Sequence, residues 1–218
     1  MVKRTFLAVL AAVLSVASLA VLAGPASAAP TGTRFRVAGN AADATLSNCG
    51  SDPAAGTECT VLLAFAGEER VSDNGERFRD EFLSVTLVGL LITGPGPEDF
   101  EITSERFGFT TDADVSISGG LRRASASAED VAVDGLTLDI NITWTGVGDL
   151  SRSKSRDTFD DDGTTFRFSA NSRFREATAT AVVNGETFTE SEPLEIPSSL
   201  SRSRFVDVCR GDCTFPPF

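Results

Sequence analysis

Histidine is absent from all 218 residues. That absence excludes a Ser-His-Asp or Cys-His nucleophilic arrangement, a histidine general base, and zinc or copper held by imidazole. Tyrosine is also absent, and there is one tryptophan and one methionine. Lysine occurs only at Lys3 and Lys154, against many arginines. Among catalytic constellations, paired carboxylates of the glycoside-cleaving kind remain open, but no pair stands out from the other acids. The composition therefore points to a non-enzymatic binding or structural module, with a carboxylate-dependent glycosidase-like enzyme as the alternative.

Charge is one-sided. The chain carries a formal −12 at pH 7. Nucleic acid and anionic membranes are poor partners for such a chain, since their affinity comes from neutralised phosphates. Cationic partners or divalent cations suit it better. A cell-wall glycan, a small apolar ligand or a protein are the partner classes left open.

Long apolar runs are confined to the N-terminus. Lys3 and Arg4 precede an apolar stretch from Phe6 to Leu22, and Ala26-Ser27-Ala28 is a small-x-small cleavage site. This reads as a secretory signal peptide over residues 1–28. The run is shorter than the roughly 20 residues that span a bilayer. Residues 29–218 are then expected to be one secreted β domain with no membrane span.

Cysteines are few: Cys49, Cys59, Cys209 and Cys213. They lack the paired C-x2-C spacing of a structural zinc site and fit an oxidising compartment. Local pairing, Cys49–Cys59 and Cys209–Cys213, closes a turn-like loop each time. The second would make residues 209–218 a disulfide-looped tail.

What the sequence does have is strand periodicity, clearest from Gly135 to Thr145. Leu136, Leu138, Ile140, Ile142 and Trp144 alternate with Thr137, Asp139, Asn141, Thr143 and Thr145. Period 2 is the signature of a strand with one buried and one wet face. Other short strands follow turn chemistry along the chain. Asn184-Gly185 marks a hairpin between 174–183 and 187–189. Phe82 to Ile92 is apolar on both parities, as a central strand would be. A bulge is expected near Gly108, and a weak helix is an alternative across Ala124 to Asp130. About nine or ten strands joined by tight turns predict an all-β, largely meandering antiparallel domain, either a β-sandwich or a partly closed β-barrel.

Three short motifs carry candidate chemistry. Asp160-Asp161-Asp162-Gly163 could hold Ca²⁺ through Asp160 and Asp162, but lacks an EF-hand's spacing and reads first as a solvated turn. Asp112-Ala113-Asp114 is a lesser version. Arg210-Gly211-Asp212, framed by Cys209 and Cys213, resembles integrin-binding loops, where Asp meets a receptor metal and Arg an acidic pocket. In a chain rich in these residues it is also an ordinary closed turn. The Ser/Arg alternation of 151–156 reads as a charged strand edge before it reads as an acid-binding stripe.

The segment Ile142-Thr143-Trp144-Thr145-Gly146-Val147-Gly148-Asp149-Leu150-Ser151-Arg152, followed by a Phe- and Arg-rich hairpin, resembles a motif of secreted all-β proteins of high-GC Gram-positive bacteria. The likeness covers about a quarter of the chain, Leu136 to Glu190. It implies secretion and β structure, and carries no functional residue over.

Overall fold

The computed structural model describes residues 34–50, 52–73, 76–96, 99–161, 164–190 and 197–210. Eleven strands account for most of them: β1 Arg34–Ser47, β2 Glu58–Asp73, β3 Glu76–Ile92, β4 Phe100–Thr110, β5 Asp114–Ile117, β6 Arg123–Val133, β7 Leu136–Gly146, β8 Ser151–Asp161, β9 Thr164–Val183, β10 Glu186–Thr189 and β11 Ser198–Arg210. All pairings are antiparallel. No helix in the described residues is long and apolar enough to cross a membrane.

The chain meanders through β1, β2, β3 and β4, and β6 and β7 form a hairpin. Beyond β7 the order passes to β9, then β11, then back to β1, which also pairs β2. Eight strands thus close into one ring of hydrogen bonds. The seam is β4 against β6, joined at a single Cα pair, Gly108 with Val133. A side chain at Gly108 would not fit there. Its Cβ would lie 2.4 Å from Val133 Cγ2 and 2.8 Å from the Ala132 carbonyl oxygen.

The β7 alternation holds almost throughout. Leu138, Ile140, Ile142 and Trp144 are buried, while Thr137, Asp139, Asn141, Thr143 and Thr145 are exposed. Leu136 at the strand's start departs from the pattern and is 40% exposed. Trp144 is the largest fully buried side chain, and its indole N–H donates to the Asp43 carbonyl at 2.9 Å. Around it pack Leu46, Leu62, Leu83, Val85, Val131, Val133 and Leu200, with alanines from β1, β2, β6 and β9 between them. Small residues let facing strands approach, so the interior of the ring is filled by side chains.

Two local expectations shift. The helix alternative across Ala124 to Asp130 is replaced by β6, whose register slips between Ala128 and Val131, with Asp130 at φ 54°. The β3–β4 irregularity falls at Gly89/Leu90, not at Gly108, which instead holds the seam. Residues 68–73 and 76–77, polar as they are, lie in β2 and β3, which pair with each other there. Cys49 and Cys59 form the expected disulfide, pinning the β1–β2 hairpin. The signal segment 1–28, Gly211, Asp212 and Cys213, and Asp162 lie outside the described residues, as do the side chains of Asp160, Cys209 and Arg210.

Candidate functional site

Five ring strands run on past the ring, and β8 joins them. β9 meets β7 only over 177–183, and its earlier part lies between β8 and β11. β3 meets β4 only from Leu83 onward, leaving 76–82 paired to β2 alone. The extension is a six-stranded sheet in the order β8, β9, β11, β1, β2, β3. Residues opposite each other across strands share a face, so its two faces can be read from the register.

One face continues the ring interior. The row Arg175, Leu200, Ala42, Ala66, Leu83 lies at the mouth. Three rows beyond it are basic. The nearest is Arg152, Arg173, Arg202, Asn40, Glu68, Glu81; next is Lys154, Asn171, Arg204, Ala38, Arg70, Arg79; then Arg156, Ser169, Val206, Arg36, Ser72, Arg77. These rows hold ten of the chain's 19 Lys and Arg residues against two acids. Arg152, Arg173 and Arg202 face one another directly, and so do Arg70 and Arg79. Like charges directly opposite destabilise a sheet unless a counter-charge bridges them, as Glu68 does for Arg70 and Arg79.

A carboxylate network fixes part of this face. The Glu68 side chain is 6% exposed, whereas those of Arg70 and Arg79 are 61% and 56% exposed. Arg70 donates through Nε at 2.8 Å and also through Nη2 to Glu68 Oε1. Arg79 Nε lies 3.3 Å from the same oxygen, and Asn40 Nδ2 donates to Oε2 at 3.1 Å. Asn40 Oδ1 in turn accepts from Arg202 Nε at 2.5 Å. Arg79 also pairs with Glu81, whose other oxygen accepts from the Val115 N–H. The network holds Arg70, Arg79 and Arg202 in place while their guanidinium groups keep donors to spare.

Four carboxyl groups depart from their ordinary range. Burial pushes Asp43 up, against a hydrogen bond from Ser199. Burial, helped by Asp80, pushes Glu69 up, and burial raises Asp207. Burial would raise Glu68 too, but hydrogen bonds from Arg70 and Asn40 and the charges of Arg70 and Arg79 bring it down. The raised groups take up protons in the folded state before they do unfolded, so they add stability as pH falls through their range. Glu68 acts oppositely. Its contribution is present above its ordinary 4.5 and is lost as pH falls through its lowered value. As pH falls from neutral the urea midpoint is therefore expected first to rise, as the raised groups take up protons, and then, below the ordinary carboxylate value of 4.5, to fall as Glu68 loses its contribution. A midpoint falling steadily from neutral pH would contradict these assignments.

The opposite face of the extension is different in kind. Phe78, Phe168, Phe174 and Phe205 are among its exposed residues, and Phe168 and Phe205 lie 6.0 Å apart. Toward the ring Phe65, Phe82 and Phe109 are in ring contact, with centroids 5.7 and 6.1 Å apart. Acids sit among them: Glu69, Asp80, Asp157 and Asp207. No Lys or Arg belongs to this face among the described residues.

Elsewhere, a cleft of about 570 Å³ on the outside of the ring is lined in part by Asp112, Asp114, Glu129 and Asp139. It gathers the lesser sequence motif with two acids distant from it in the chain. No three acids or cysteines among the described residues converge to hold a metal ion. The Ser/Arg run lies on β8, an edge strand, as expected, and its Arg152, Lys154 and Arg156 also extend the basic rows.

The basic face was missed in the sequence, although a signal exists. Arg-Phe-Arg occurs at 34–36, 77–79 and 173–175, and Arg-Ser-Arg-Phe at 202–205. The motifs at 77–79, 173–175 and 202–205 send arginine and phenylalanine to opposite faces of a strand.

Together these features define an all-β protein with a filled ring and a two-faced sheet extending from it. Compared with known proteins, the chain matches no family model, no curated protein and no solved structure.

Proposed function

We propose that the protein is a secreted, non-enzymatic binding or structural module, and that the arginine-rich face is its contact surface for anionic groups. The three basic rows carry this reading: ten cations stand side by side in a chain whose net charge is strongly negative. Guanidinium groups spaced about 5 Å apart across strands and about 7 Å along them match the oxygens of carboxylates, phosphates or sulfates bidentately. The filled ring interior favours contact at a surface over carriage of a small apolar ligand. The disulfide suits an oxidising, extracellular setting.

Phosphocellulose chromatography tests the reading. At pH 7.5 and low salt the acidic protein is expected to be retained on this negatively charged matrix and released as salt rises. Replacing Arg156, Lys154 and Arg204 by Gln is expected to abolish retention. Passage of the unaltered protein straight through the column would end the proposal.

A further inference from the structure

The two faces of the extension complement each other, and we infer that the partner of the arginine face is the phenylalanine- and carboxylate-bearing face of a second copy of this chain. This rests on the proposed reading of the basic rows as a contact surface, and names what they contact.

Three observations support it. The first is the segregation itself. Within one six-stranded sheet, every described cation is on one side, and the exposed phenylalanines are on the other with Glu69, Asp80, Asp157 and Asp207 among them. A phosphate polymer would satisfy the arginines and leave the aromatic face unexplained. A second copy accounts for both. Arginine stacks on phenylalanine by cation–π contact and pairs bidentately with carboxylate, so each chemistry of one face finds its counterpart on the other.

The second is exclusion of like against like. Two basic faces repel, and two acidic aromatic faces, neither holding a cation, also repel. Only the unlike pairing, basic on aromatic, is favourable.

The third is size. Six strands about 4.8 Å apart, with about eight extended residues each, give roughly 600–700 Å² per side, hence about 1,200–1,400 Å² in total, the lower end of specific interfaces. The net charge of −12 on each copy opposes association at long range, but charges farther away than about 8 Å are screened at physiological ionic strength.

The contact is heterologous: each copy offers a used and an unused face. Such contacts propagate into an open stack instead of closing a pair. Packed sheets lie about 10 Å apart, so long arginine side chains have room to reach across.

Sedimentation velocity of the disulfide-intact protein, across micromolar to submillimolar concentrations, tests the inference. The unaltered chain is expected to form a concentration-dependent ladder of species that shortens as salt rises. A basic-face variant (Arg156→Gln, Lys154→Gln, Arg204→Gln) and an aromatic-face variant (Phe168→Ser, Phe205→Ser) are each expected to be monomeric alone. Mixed in equal amounts they are expected to form a one-to-one complex and nothing larger, because each keeps one competent face. Far-ultraviolet circular dichroism confirms that both variants remain β-folded; if either does not, the double replacement Lys154→Gln, Arg204→Gln serves for the basic face and Phe205→Ser alone for the aromatic face.

Self-association by the unaltered chain without formation of the mixed complex would overturn the inference. So would a chain that stays monomeric throughout. If that monomeric chain were still retained on phosphocellulose, the arginine face would stand as an anion-binding surface and only the identity of its partner would fall.

Discussion

Replacing Trp144 by Ala is expected to lower the unfolding midpoint by about 6–20 °C. The indole is 1% exposed and lies at the centre of the ring's packing. Truncating a buried aromatic to Ala costs about 3–5 kcal/mol, because the transfer free energy and the cavity add. The Asp43 carbonyl also loses its indole donor. In a domain of this size each kcal/mol moves the midpoint by about 2–4 °C. Trp144→Phe retains most of the apolar volume and removes the donor, so its loss should be clearly smaller. Thermal unfolding followed by circular dichroism measures both, and equal losses would mean that the cavity contributes little.

The second large effect is expected at the seam. Gly108→Val places branched carbon atoms where even a Cβ would collide with Val133 and the Ala132 carbonyl. One of these obstacles is backbone, which cannot rotate away. The single-pair junction of β4 and β6 has no neighbouring pair to absorb the shift. Overpacking typically costs about 1–3 kcal/mol and at such a point about 2–4 kcal/mol is expected. Amide hydrogen exchange should speed up first in β4 and β6, and a variant as protected there as the parent would show that the ring does not depend on this junction.

What could be read from sequence follows the range of each interaction. Period 2 in β7 and the Asn184-Gly185 turn are local signals, set by side-chain alternation and by φ at the turn, here 49° and 83°. The disulfide was legible because ten residues and a turn separate its cysteines. Closure of the ring was not, since β1 pairs with β11 across most of the chain and no local pattern records that. The basic face was hidden for the same reason. Arg36, Arg70, Arg204 and Lys154 each look like ordinary wet positions of separate strands. Only the register, Lys154 with Asn171, Asn171 with Arg204, Arg204 with Ala38 and Ala38 with Arg70, lays them side by side. Net charge does not register such a face for a related reason. It sums over the molecule, whereas recognition depends on how charge is distributed over a surface.

The placement of the cations is tested most directly by a charge-matched pair of variants on phosphocellulose. Lys154→Gln with Arg204→Gln removes two charges from the basic rows; Arg106→Gln with Arg123→Gln removes two from elsewhere on the ring strands. The salt needed for elution should drop sharply for the first variant and stay near that of the unaltered protein for the second. Equal drops would show that overall charge governs retention, and the arginine face would then have no standing as a site.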